Sequence, residues 1–109
     1  MALLSHANIA TSSQNENAVV AAVAGKRVKV YKFVIVNGAA TAQTITIKDK
    51  ASGSTLATLY LPSSIGGGLV LGNGSTSECP VFMSVDGGAF IVNLSAATAV
   101  GGFVQYTQE

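Results

Sequence analysis

The chain has 109 residues, a formal net charge of +1, 49% hydrophobic and only 10% charged side chains. That length gives room for one domain with one core, the hydrophobicity excludes a disordered chain, and the near-neutral balance excludes nucleic-acid binding through bulk charge. A typical domain is about 25% charged, so a small chain this poor in charge is expected to offer apolar surface to a partner rather than to water.

The opening Met1-Ala2-Leu3-Leu4-Ser5-His6 lacks the basic region and long apolar stretch of a signal peptide, so export is not expected. Residues 1–16 run into the polar stretch Thr11-Ser12-Ser13-Gln14-Asn15-Glu16. They read as an extended N-terminal arm that orders on contact with a neighbour, with Leu3, Leu4 and Ile9 as apolar anchors. A strand near 7–12 is the alternative. Residues 17–109 read as the folded domain.

Within that domain, strands are predicted near 17–24, 27–37, 42–49, 54–61, 67–72, 80–85, 89–95 and 98–107, where Val, Ile, Thr, Phe and Tyr are concentrated. Between them stand the turn signals Gly25, Asn37-Gly38, Ser52-Gly53, Gly66-Gly67-Gly68, Asn73-Gly74 and Asp86-Gly87-Gly88. They start 7 to 15 residues apart, the short regular spacing of a sandwich or barrel. In Ala18–Ala24 the three valines favour strand over helix. In Arg27-Val28-Lys29-Val30 the valines are expected inward and the cations outward. The alternation breaks at Tyr31-Lys32-Phe33-Val34-Ile35-Val36, which predicts a strand covered on both faces or a bulge that resets the register. Thr44-Ile45-Thr46-Ile47-Lys48 alternates again, with both isoleucines inward. Asp86-Gly87 is the strongest hairpin signal, because it tolerates the positive φ of a primed turn. Pro62 and Pro80 fall at strand ends, where a missing N–H does no harm. No apolar run approaches the roughly 20 residues that span a bilayer. The sum is an all-β chain, a single antiparallel β-sandwich, with the jelly roll as a candidate strand order.

Catalysis needs titratable groups that can be brought together, and the supply is short: His6, Cys79, Asp49, Asp86, Glu16, Glu78 and Glu109. No G-x-S-x-G turn marks a nucleophile. No C-x-x-C or H-E-x-x-H spacing marks a zinc site. Cys79 reads as a small buried hydrophobe and Asp86 as a turn residue. Gly66-Gly67-Gly68 lacks the following Lys-Ser/Thr of a phosphate loop. The expectation is a protein with no catalytic residues, no metal and no cofactor.

The one uneven charge feature is a cluster in which four of the six cations, Lys26, Arg27, Lys29 and Lys32, fall within seven residues. It reads either as a patch that docks on an acidic protein surface or as a solvated strand face that discourages edge-to-edge aggregation. Nucleic acid is the weaker reading, since only Tyr31 supplies an interleaved ring. Sugar platforms need exposed rings; Trp is absent, and Tyr31, Tyr60 and Tyr106 each sit in a predicted strand where packing is expected.

Three stretches carry a family resemblance: Asn17-Ala18-Val19-Val20 through Lys29-Val30, the Gly-rich crossing Ile65–Gly72, and the closing run from Ala89-Phe90-Ile91-Val92 to Val104-Gln105-Tyr106. Over roughly residues 17–107 the chain resembles the small all-β head decoration, or cement, proteins of tailed bacteriophages. Similar chains commonly have an aromatic-rich approach to the last hairpin; here Cys79-Pro80-Val81-Phe82-Met83 stands there with a single ring. The resemblance implies a virion protein, made in the host cytoplasm and bound to the capsid exterior. It would act as a homo-oligomer, with a trimer favoured, that clamps neighbouring subunits of the major capsid protein, and it would have no membrane partner. Several modest contacts made together would give such a clamp its avidity. The alternative is a tail- or fibre-associated virion module that binds host-surface glycans.

Overall fold

A computed structural model describes residues 3–109, and all of its regular structure is strand. In chain order the strands are β1 (Ser5–Thr11), β2 (Asn15–Val20), β3 (Val28–Asn37), β4 (Gln43–Lys48), β5 (Thr55–Leu61), β6 (Gly68–Leu71), β7 (Phe82–Met83), β8 (Phe90–Leu94) and β9 (Val100–Gln108). They form two antiparallel sheets packed as a sandwich. The front sheet has the order β1-β9-β3-β6, with β7 also paired to β3, and the back sheet has the order β2-β8-β4-β5. Among the described residues, no helix is long and apolar enough to cross a membrane.

Period-two alternation builds the core. Val28, Val30, Phe33 and Ile35 from β3 face Ile45 and Ile47 from β4 and Phe90, Val92 and Leu94 from β8, all essentially inaccessible to water. Phe33, Phe82 and Phe90 meet with ring centroids 5.8–5.9 Å apart, two of the three contacts being edge-on or nearly so. The broken alternation in the third strand proves to be a bulge. Val30 pairs with Tyr106 and Lys32 with Gln105, which leaves Tyr31 as the extra residue.

Three expectations are corrected. The N-terminal arm is, from Ser5 onward, an edge strand paired residue by residue with β9, from Ser5↔Tyr106 to Thr11↔Val100. Its alternation puts Ile9 into the core at 2% exposure, a burial signal that the neighbouring polar run obscured. Met1 and Ala2 lie outside the described residues. The second strand ends at Val20, and residues 21–24 are exposed and outside either sheet. Finally, Asp86-Gly87 does not close a hairpin. Gly88 N–H bonds to the Val85 carbonyl at 2.9 Å, and positive φ occurs at Gly87 (72°) but not at Asp86. That is a type II turn, whose twist does not match a two-residue hairpin. It carries the chain from β7 in the front sheet to β8 in the back sheet.

Most connections likewise cross between sheets, and the paired hairpin is β4–β5. There Ser52 takes φ 54°, and the buried Asp49 side chain accepts from Ser54 N–H at 3.0 Å. At the end of the sandwich that holds the 38–42, 62–67 and 95–99 connections, two buried amides replace secondary structure. Asn37 donates to the Thr41 and Pro62 carbonyls. Gln43 accepts from Ser95 Oγ and Ala96 N–H and donates to the Ala96 and Thr98 carbonyls. Among the described residues, no buried side-chain nitrogen or oxygen is left without a partner.

Candidate interaction surface

The outer face of the front sheet is built by the strand positions that alternate with the core. The register aligns them in rows across the strands. One row is Ala10–Gly101–Val36–Gly68, and the next is Asn8–Phe103–Val34–Val70. Val70 is 60% exposed, and Val34, Val36 and Phe103 are half-buried. Two glycines and an alanine leave the first row nearly flat. Gly102, beside it, is fixed by geometry: its φ is 145°, and a Cβ there would collide with the Val34 carbonyl.

The following rows turn cationic. His6, Gln105 and Lys32 align across β1, β9 and β3, and Lys29 lies opposite Thr107 and Met83. Lys29 and Lys32 share this face only because of the bulge at Tyr31; in an unbroken strand, residues three apart point to opposite faces. The His6 ring stacks on Phe103 with centroids 5.1 Å apart. Lys32 Nζ stands 6.0 Å from the centre of the same ring, close enough for a cation–π attraction. A carboxyl oxygen of Glu109 stands 3.7 Å from Lys29 Nζ.

The sequence-predicted contact residues therefore divide. Leu3 is 89% exposed and Leu4 half-buried, just ahead of β1. Ile9 belongs to the core and offers no surface to a partner. Lys29 and Lys32 are brought together on the front face. Lys26 and Arg27 stay exposed in the β2–β3 connection, where Arg27 and Glu109 exchange two backbone hydrogen bonds. The apolar rows were missed in the sequence. Their signal was present in the second phase of two strands, Val34 and Val36 in one and Gly101 and Phe103 in the other.

The titratable groups are dispersed. Glu16 accepts from Lys48 Nζ at 3.0 Å and from Ser52 N–H at 2.9 and 3.1 Å. The hydrogen bond from Lys48, followed by that from Ser52, holds its carboxyl below the usual carboxylate value. Glu78 pairs with the Asn73 amide, and Cys79 is exposed rather than buried. Among the described residues, no group of three or more His, Cys, Asp and Glu side chains is placed to hold a metal ion. On the back sheet, Tyr60 is 79% exposed, which corrects the expectation that every tyrosine packs; Tyr31 is buried and Tyr106 packs against the core. No family model, curated protein or solved structure matches the chain.

Proposed function

We propose that this chain is a non-enzymatic virion protein that decorates and stabilises a capsid by binding neighbouring subunits of the major capsid protein with the outer face of its front sheet. The observation that carries the reading is the composition of that face: two apolar rows, one nearly flat, bordered by Lys29, Lys32 and His6. Apolar area of this kind suits broad contact with another protein surface, and the cations would meet an acidic rim on the shell and fix orientation. Such a protein acts on the capsid exterior as a homo-oligomer, needs no cofactor, and gains its avidity from several contacts made at once. The strand orders β1-β9-β3-β6 and β2-β8-β4-β5, with connections crossing between the sheets, are read as a jelly roll. Capsid and lectin domains use that architecture, which is support by fold analogy alone.

Co-sedimentation with empty shells lacking this protein tests the reading. The wild-type chain is expected to bind at a fixed ratio to the capsid subunit. Val70→Glu and Gly101→Glu should abolish binding, because each places a carboxylate among the apolar rows, and Thr46→Glu on the back sheet should not. Absence of wild-type binding, or equal binding by all four chains, overturns the proposal.

A second reading has one observation in its favour. The exposed Tyr60 ring stands opposite Thr44 on the back sheet, an aromatic surface with hydroxyls beside it that a glycan could use in a tail or fibre module. Retention on glycan-coated beads that Tyr60→Ala removes would favour it over shell binding.

A further inference from the structure

The back sheet ends in β5, a strand whose outer edge has no neighbour among the described residues. In an antiparallel sheet, every second residue of an edge strand directs its N–H and C=O away from the sheet, so the edge is a template for another extended strand. Native edges are usually blunted by charge, proline, a bulge or a break. Two of the three other edges carry such devices. β2 has the charged Glu16, a register shift between Ala18 and Val20, and positive φ at Asn15. The β6/β7 edge is interrupted by residues 72–81. β1 turns directly into β2, and Asn17 ties that seam by bonding Thr11 Oγ1 and the Ser13 carbonyl. β5, Thr55-Leu56-Ala57-Thr58-Leu59-Tyr60-Leu61, contains no charge, proline or glycine. Its one register shift lies at its start, where Lys48 pairs with Thr55 and Ile47 with Ala57, and the ladder is regular from Ala57 to Leu61. Its two large outward side chains, Leu56 and Tyr60, are 38% and 79% exposed.

We infer that β5 pairs antiparallel with β5 of a second copy of this chain, about a two-fold axis at Thr58. The side chains select that occupant. Centring the pair on Thr58 sets Leu56 opposite the second copy's Tyr60 on the outer face, so each exposed large side chain covers its counterpart. On the inner face the same register sets Ala57 opposite the second copy's Leu59, a small residue against a large one. Thr58 meets itself at the centre, where two hydroxyls can hydrogen-bond. A two-fold contact uses the same patch on both partners, and this strand is complementary to itself in that sense. The product is a continuous sheet, β2-β8-β4-β5 joined to β5-β4-β8-β2. It is a dimer contact, distinct from the trimer that the family resemblance implies, and it does not rest on shell binding.

Light scattering on the purified full chain, with no shells present, tests it. The wild type is expected at twice the single-chain mass of 11.0 kDa at concentrations up to about 1 mM. Thr58→Lys, which sets two like charges opposite each other, should halve that mass, and Thr58→Glu should do the same. Mixing the two variants should restore the doubled mass through opposite charges. Tyr60→Ser, a change at an exposed position that leaves the core intact, should weaken the dimer at least about tenfold, reflecting lost cross-strand cover. Circular dichroism confirms that each variant is folded. A wild type that stays at single-chain mass, an assembly whose mass both Thr58 variants leave unchanged, or a mixture that stays at single-chain mass overturns the inference.

Discussion

Lys29 and Lys32 are three residues apart in the chain yet stand on the same face of the front sheet, because Tyr31 is bulged out of register between them. Leaving Tyr31 out of the ladder therefore sets two things at once. The cations gather on the outer face, and Phe33 and Ile35 stay in phase with the core on the other side.

Removing the extra residue should be tolerated. Deleting Tyr31 lets Lys32 follow Val30 in a regular ladder with Gln105 and Tyr106, so Phe33 and Ile35 keep their buried face. The cost is the burial of the Tyr31 side chain itself, and loss of a large buried side chain costs about 3–5 kcal/mol out of about 5–15 kcal/mol for a whole domain. The deletion variant is expected to keep a cooperative unfolding transition by circular dichroism at a lowered midpoint, and Tyr31→Phe to stay close to wild type.

The adjacent glycines of β9 should behave oppositely. At Gly102 a Cβ meets the Val34 carbonyl at a positive φ; at Gly101 the nearest atom would be an ordinary 3.7 Å away. Gly102→Ala is expected to lower stability by about 2 kcal/mol or more, and Gly101→Ala to stay within about 0.5 kcal/mol of wild type. Urea denaturation of both checks this.

Gln43→Leu keeps the bulk of a buried residue but removes every side-chain bond to the 95–98 turn. Leaving the Ala96 N–H and the facing carbonyls unpaired should cost about 2–4 kcal/mol in total. The loss should appear locally as faster hydrogen exchange at the Ala96 amide.

Glu16 gives a pH dependence with a definite sign. Its carboxyl titrates below its ordinary value of 4.5 in the folded chain, chiefly through the Lys48 hydrogen bond. A depressed carboxylate adds stability that is complete above the unfolded value and disappears as pH falls through the folded one. The melting temperature should therefore fall as the solution is acidified through and below about 4.5, and Glu16→Gln should flatten that fall while lowering the plateau at neutral pH.

Strand positions were largely legible in the sequence, because β-branched runs separated by Gly, Asn and Asp leave little choice between strand and helix. The break at Tyr31 was legible as one of two alternatives, and pairing with β9 decided between them. Pairing itself was not legible. Asp86-Gly87 marks a turn correctly, but whether the next strand stays in the sheet depends on partners far along the chain, here β2 and β4 for β8. The same holds for the first strand, whose partner β9 lies about ninety residues on. Of the candidate contact residues, cations could be read as outward from alternation alone. Ile9 could not be sorted from Leu3 and Leu4 without knowing that β9 covers it.

The β6/β7 edge is one path along β3 interrupted by an excursion. β6 leaves the ladder at Leu71 and β7 resumes it at Phe82. Residues 72–81 are fastened at their base, where Gly74 and Val81 N–H groups bond to the Tyr31 and Val30 carbonyls at 3.1 and 2.7 Å. Between those fastenings, Ser75–Cys79 lies outside both sheets. Its length is thus uncoupled from the register on either side, and a peptide epitope or enzymatic cargo spliced in at Ser77 would be carried outward on a fixed stem while the sandwich folds beneath it unaltered.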